Sequence, residues 1–332
     1  MKSEITKRVA LLIGDLASVF TRMKRYNFVG EDIACNLCGD HSHDIVGTHD
    51  RYGNTLRVVI CTNCGLVFLN PMPSDAEVDL FYTRYYRKLY HYTCEPRPKS
   101  ILRAFRGAKT RFVFLQPILS HKTRLLDVGS GGGEAVYYFR ERGIEADGIE
   151  PNEGYARYSK EKYDIPAYIS RWQDAEIDHE TYDVVTAHHV VEHLHSPFES
   201  LTTFREWLVP GGYLYISVPN VHDPDSTPFG RFHFAHLYYF NRETLIMMAL
   251  KAGFEVSDKL PGHSTTIVFR RTETPSVDWF RFPGNYVNMA QFFKENTNVK
   301  YFLSRKPYIR WVRRMSHLGG DILKATFWDG KS

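Results

Sequence analysis

A chain of 332 residues is too long for one small core, so it holds one large domain with additions or two modest ones. Its 43% hydrophobic and 24% charged residues are ordinary for a water-soluble globular protein, and a net charge of +4 singles out no polyanionic partner. No uncharged apolar run reaches the roughly 18 residues a membrane span needs, and the apolar stretch Val9 to Phe20 is broken by Asp15 with no cleavage site after it.

The first 30 residues carry Ile5, Val9, Leu12, Leu16, Val19 and Met23 at helical spacing, flanked by Lys2, Lys7, Arg8, Arg22, Lys24 and Arg25. A basic amphipathic helix fits either a peripheral membrane contact or packing on its own protein or a twin subunit, as in a homodimer. Residues 31–70 hold two knuckles, Cys35-Asn-Leu-Cys38-Gly and Cys61-Thr-Asn-Cys64-Gly. A two-residue gap lets both thiolates of a pair reach one ion, and the glycine after each pair frees the backbone to turn. The 22 residues between the pairs suffice for a β excursion that returns the chain. Cys35, Cys38, Cys61 and Cys64 are therefore expected to form a closed, structural Zn2+ site in a reducing compartment such as the cytoplasm, with Cys94 a spare thiol. A helical connector is expected over 71–120, starting with a capping box of Ser74 and Glu77.

From 121 to 272 strands alternate with helices of about 10–15 residues, which predicts an α/β fold with a doubly wound, mostly parallel sheet. "RLLDVG" reads as a buried strand, "EAVYYFRERG" as a helix, "EADGIEP" as a strand, "EGYARYSKEKY" as a helix, and "AYIS" and "YDVVTAHHV" as strands. "PFESLTTFREWL" reads as a helix closed by the turn "VPGG", before the strand "YLYISVPN", the helix "RETLIMMALKAGF" and the late strand "TTIVFRRT". Residues 273–332 form an aromatic and basic extension, with Arg305, Lys306, Arg310, Arg313 and Arg314 among Phe302, Tyr308 and Trp311, and no strand is expected there. Aromatic residues make up 14% of the chain; they can stack on sugars or bases, or simply fill core and surface.

Between the first strand and helix of the α/β region lies Asp127-Val-Gly129-Ser-Gly131-Gly-Gly133. Glycine permits positive φ and close backbone approach, so a ligand can lie on this turn. The spacing differs from the G-x-G-x-x-G that sets a pyrophosphate on a helix N-terminus. Glu150, ending the next strand in "GIEP", can accept both hydroxyls of an unphosphorylated ribose. The ligand therefore carries a ribose and needs no pyrophosphate.

With that loop and acid, the segments "YDVVTAHHVVEHLHSP", "LVPGGYLYISVPN" and "HFAHLYYFNRETLIMMALKAGFEV" follow in order. Together they resemble the class I S-adenosylmethionine-dependent methyltransferases over roughly residues 120 to 270. The resemblance implies a seven-stranded Rossmann-like sheet and S-adenosyl-L-methionine as cofactor. It implies cofactor contacts at Asp127, Gly129, Ser130, Gly131 and Gly133, the ribose on Glu150 beside Pro151, and the methionine end facing Ala187 and His188. The adenine would lie by Trp172 and Gln173, although "SRWQDAE" departs from the commonest form there. A four-cysteine zinc module ahead of this domain resembles bacterial enzymes of surface-polysaccharide and sugar biosynthesis, and more distantly the C-methyltransferases of nucleotide-linked deoxysugars.

Methyl transfer is an in-line displacement in which the protein aligns the partners and takes a proton. A hydroxyl acceptor is served by a histidine base, and His193, His236 and the neighbouring carboxylate Glu192 are the candidates. Their structural alternatives are helix capping for Glu192 and His193 and a hydrogen-bonded core position for His236. His188, His189, His193 and His195 lack the paired carboxylates of an oxygen-rich metal site, so no catalytic metal is expected. The acceptor expected is a saccharide or its nucleotide- or lipid-linked form, methylated on O or C in the cytoplasm or at the inner membrane face. An RNA methyltransferase with a zinc module is the alternative, although nucleic acid is disfavoured by the modest charge and the lack of an N-P-P-[YF] motif. A binding protein that keeps only the fold is the third reading, and the intact glycine loop argues against it.

Overall fold

The computed structural model describes residues 28–81, 96, 98–165, 167–223, 227–305, 307 and 309. The amphipathic face of Ile5 to Met23, Cys94 and the basic residues Arg310, Arg313 and Arg314 lie outside the described residues.

The principal sheet has seven strands. In chain order they are β4 (Arg124–Val128), β5 (Glu145–Ile149), β6 (Ala167–Tyr168), β7 (Tyr182–His188), β8 (Leu208–Ser217), β10 (Phe254–Val256) and β11 (Thr266–Arg271). Across the sheet they run β10-β11-β8-β7-β4-β5-β6. The five from β8 to β6 are parallel, and β11 and β10 add antiparallel at the edge. Successive side chains of a strand point to opposite faces. Thus Leu125 and Val184 belong to one core cluster while Leu126 and Val185 belong to the other. Near-continuous apolar runs such as "VVTA" are what a sheet buried on both faces requires.

The helices before and between these strands supply the cover. They are α2 (Pro98–Leu115), α3 (Glu134–Arg140), α4 (Glu153–Tyr163), α5 (Pro197–Trp207) and α6 (Arg242–Lys251); α1 (Asp75–Leu80) precedes them in the chain. Leu115 of α2 and Phe139 of α3 fill one cluster, and Phe204, Trp207, Met247 and Met248 of α5 and α6 the other. At α1 the expected capping box is present: Ser74 Oγ accepts from Glu77 N and the Glu77 carboxylate accepts from Ser74 N. The extension carries α7 (Asn285–Glu295) and α8 (Asn298–Phe302).

Two expectations need correction. "VPGG" is not a turn closing a helix: Leu208–Ser217 is one ten-residue strand. Gly211, at φ +73, sits inside it, where the register against β7 slips between Tyr182 and Val184. Phe254–Val256 is a strand that the helix pattern before it concealed.

The second sheet has the order β1-β2-β3-β9, all antiparallel, with β1 His43–His49, β2 Thr55–Cys61, β3 Val67–Leu69 and β9 Tyr238–Tyr239. Its first three strands come from the cysteine segment. The fourth comes from a stretch read as part of the α/β region, since Val67 pairs with Tyr239 and Phe68 with Tyr238. The two sheets thus share the 232–240 segment and one continuous core.

Candidate active site

The four parallel strands β4, β5, β7 and β8 end on one side of the principal sheet, where an open α/β sheet offers its crevice. Gly129, Gly131 and Gly133 have φ of +68, +58 and +83, so each needs glycine for its backbone alone. Their surroundings differ. A Cβ on Gly129 would sit 2.6 Å from Val190 Cγ2 and one on Gly133 2.1 Å from Ser159 Oγ. A Cβ on Gly131 would meet nothing within 4 Å. Two of the glycines are therefore accounted for by the protein itself, and only Gly131 borders open space. Ser130 turns inward instead, with its Oγ buried where a Cβ on Gly148 would lie 2.6 Å away.

Glu150 is tied to this loop. Its Oε2 accepts from Gly131 N at 2.9 Å and its Oε1 from Asn152 N at 2.8 Å. Burial pushes its carboxyl up, against the pull of these two backbone donors. A carboxylate has about four lone-pair sites, so two remain for further donors. Pro151 beside it is exposed. Asp127 is committed differently: its Oδ1 accepts from Arg111 Nη1 and Thr186 Oγ1, both at 2.6 Å, in a buried ion pair. It braces β4 against α2 and β7, a role invisible in the loop motif because Arg111 lies outside it, in the segment expected only as a helical connector. Glu134, another acid the sequence reading passed over, is buried at the start of α3 and pushed up by that burial.

Ala187 is fully buried between Val128 and Ile216. His188 follows it, its Nδ1 3.4 Å from the Tyr215 hydroxyl, and burial first, then the Arg111 charge, pulls it down to about 3. Trp172 packs edge-on against Phe204, with Gln173 exposed beside it.

At His189 the chain turns sharply, with φ +56 in a non-glycine residue. Strain of this kind is held only where surrounding structure dictates it. The turn lays Val190 against Gly129 and delivers Glu192 and His193 to the same end of the sheet. Neither caps the following helix. The cap on Phe198 N of α5 is Asn36 Oδ1 at 2.9 Å, from inside the first cysteine knuckle. Glu192 is buried, with Oε1 3.3 Å from His189 Nδ1 and 3.7 Å from His193 Nε2. Its Oε2 is sealed without a hydrogen bond. His193 Nδ1 lies 2.6 Å from the Ala235 carbonyl oxygen, which only accepts, so that nitrogen carries the proton. The His236 ring meets His193 edge-on at 4.9 Å and His233 at 5.5 Å. It makes no ring hydrogen bond among the described residues, and burial, then the His193 and His233 charges, pulls it well below the ordinary range. Glu192, His193 and His236 bring one ligand atom each within 4.8 Å of one another. His233, which the sequence reading did not single out, is pulled down to about 3, chiefly by burial.

These buried imidazoles give a signed pH prediction. Between pH 3 and 6.5, His188 and His233 bind protons when unfolded and not when folded. Their contribution is complete above 6.5 and is lost on acidification towards 3. The melting temperature should fall steadily from pH 6.5 to 4.5, and less steeply in His233→Phe; equal slopes would contradict the assignment.

The four cysteine sulfurs lie within 4.8 Å of one another, with Cys35 and Cys64 3.5 Å apart and Cys38 and Cys61 3.4 Å apart. Four thiolates at about 2.3 Å from one ion would stand roughly 3.8 Å apart, so the cluster fits a tetrahedral centre. Gly39 and Gly65, both at φ +77, donate to Cys35 O and Cys61 O and close the knuckles.

A family model described as "Methyltransferase domain" matches residues 83–259, more than half of the chain. The chain belongs to this methyltransferase family. Its methyltransferase domain has a Rossmann-like α/β fold. The chain is similar to the ubiquinone biosynthesis O-methyltransferases of Vibrio cholerae serotype O1, at 31% identity over 103 residues, and Aliivibrio fischeri, at 30% over 103. Each match covers 29% of this chain, and 42% and 44% of those proteins. The chain therefore spans about two fifths of the length of these curated relatives. A solved 1,6-didemethyltoxoflavin-N1-methyltransferase of Burkholderia thailandensis aligns over 63% of this chain and 96% of its own, with 18% identity and a TM-score of 0.45. Among the described residues no helix is long and apolar enough to cross a membrane.

Proposed function

We propose that this methyltransferase transfers a methyl group to a sugar hydroxyl, with His193 as the base that takes the hydroxyl proton. The observation that carries the reading is the fixed tautomer of His193. Its Nδ1 proton is held by the Ala235 carbonyl, so the Nε2 lone pair is the basic one, 3.7 Å from the buried Glu192 carboxylate. The carboxylate offsets the charge His193 gains on protonation. His236, kept neutral by burial, adds no competing charge beside it. The same base would serve C-methylation by taking a proton next to a carbonyl.

The Gly131 backbone and the two open lone-pair sites of Glu150 would hold S-adenosylmethionine, which supplies an activated methyl group when bound. The O-methyltransferase names of the curated relatives support an oxygen acceptor. The sugar part of the reading is supported by the four-cysteine module, which resembles that of sugar-modifying enzymes. In this reading the module holds structural zinc, a closed S4 site with no position open for chemistry.

Glu150→Gln removes one charged acceptor and should weaken S-adenosylmethionine binding by roughly 1.5–3 kcal/mol, about ten- to a hundredfold by calorimetry. Unchanged affinity would remove Glu150 from the ribose role. The acceptor class is tested by offering labelled S-adenosylmethionine with nucleotide sugars, lipid-linked saccharides and ribosomal RNA. Label in a sugar pool is expected, and label confined to RNA would overturn the sugar reading.

A further inference from the structure

The loop that follows β8 carries a cation with no counter-ion among the described residues. Arg231 is only 9% exposed. Its Nε is sealed from solvent without a hydrogen bond, and among the described residues no carboxylate or carbonyl meets any of its nitrogens. The guanidinium carbon lies 4.8 Å over the Phe292 ring and 5.5 Å over that of Phe293, so aromatic faces from α7 hold it in place. His222 meets the same ring, with centroids 4.5 Å apart, and its Nε2 is likewise sealed without a partner. Burial lowers Arg231 to about 10.

A buried guanidinium with its donor fork unfilled is costly, and the usual remedy is a bidentate oxyanion. Two buried nitrogens without a hydrogen-bond partner, Arg231 Nε and His222 Nε2, both against Phe292, make a built socket rather than a stray surface charge; burial lowers His222, while the Glu243 charge nearby pulls it the other way. We propose that Arg231 and His222 form a phosphate subsite, so that the acceptor is a phosphate-linked sugar. This rests on the sugar reading above. The loop leaves the carboxyl end of β8, beside the end of β7 that delivers His193. Arg231 is five residues from His236, so their Cα atoms are at most about 18 Å apart. That bound is compatible with a sugar ring at His193 and its phosphate at Arg231. Nucleoside diphosphates and polyprenyl diphosphates share this chemistry and are separated by the test.

The test is calorimetric titration of pyrophosphate, UDP and farnesyl diphosphate into the full-length protein and into Arg231→Met and Arg231→Lys. The wild type should bind pyrophosphate, Arg231→Met should lose roughly ten- to a hundredfold in affinity, and Arg231→Lys should fall between them. Tighter UDP than farnesyl diphosphate identifies nucleotide-linked sugars, and the reverse identifies lipid-linked ones. An unchanged melting temperature and S-adenosylmethionine affinity show that the variants are folded; if Arg231→Met does not fold, Arg231→Lys carries the comparison. Absence of wild-type binding, or equal affinity in wild type and folded variant, overturns the subsite. The two readings fail separately. Arg231-dependent pyrophosphate binding without methyl transfer to any sugar pool defeats the sugar reading alone. Transfer to sugars, phosphate-free ones included, with the same KM in both proteins defeats the subsite alone.

Discussion

His193→Ala should lower turnover by roughly two to four orders of magnitude, the range a positioned general base supplies, while S-adenosylmethionine binding is nearly unchanged. The fixed contacts of the ring include the Ala235 carbonyl and the neighbourhood of Glu192 and His236, not the ribose acid Glu150. Single-turnover kinetics beside a cofactor titration separate the two effects. His193→Gln keeps a polar side chain but has no basic lone pair, so it should be nearly as slow as His193→Ala. Activity within a few-fold of wild type in both variants would move the proton transfer to another group, with His236 the neighbouring candidate.

In the zinc reading, Cys64→Ser should abolish metal binding by the four-cysteine cluster and destabilise the protein by more than about 4 kcal/mol, the range reserved for losses of this kind. For a domain of this size that lowers the melting temperature by about 10 °C or more. The damage should reach the active site, because the cysteine segment is built into it. Cys64 O accepts from Asn285 Nδ2 at 2.8 Å, and Asn285 in turn accepts from Asn241, the cap of α6. Asn36 caps α5 directly after the Glu192–His193 turn. Lys251 of α6 donates to Leu37 O at 2.7 Å. β9 hangs on β3 and fixes the chain that carries His233 and His236. Turnover should therefore fall further than S-adenosylmethionine affinity. A protein without metal that melts at the wild-type temperature would refute the zinc reading, as metal analysis and calorimetry would reveal together.

Much of this arrangement was legible beforehand because it is local. The capping box at Ser74, the alternation that places Leu125 and Leu126 on opposite faces, and the glycine after each knuckle are all dictated by residues a few positions apart. What escaped is long-range. Nothing in "HLYYF" announces that Tyr238 and Tyr239 will complete a sheet begun at His43, since a two-residue strand has no period to read. The Arg111–Asp127–Thr186 contact joins three segments, and burial, not spacing, selects them. The loop glycines illustrate the limit. All three looked alike in the sequence, yet Val190 and Ser159 account for two of them and only Gly131 borders open space. The alternative of Glu192 and His193 as helix caps fell because the cap came from Asn36, more than 150 residues away in the chain.

Whether donor and acceptor meet between the glycine loop and His193 is decided by a crystal structure with S-adenosylhomocysteine. The ribose hydroxyls are expected on Glu150, the ligand against the Gly131 backbone, and the open side of its sulfur facing the His193–His236 pair. A ligand bound away from Glu150, or a sulfur turned away from His193, would contradict this placement.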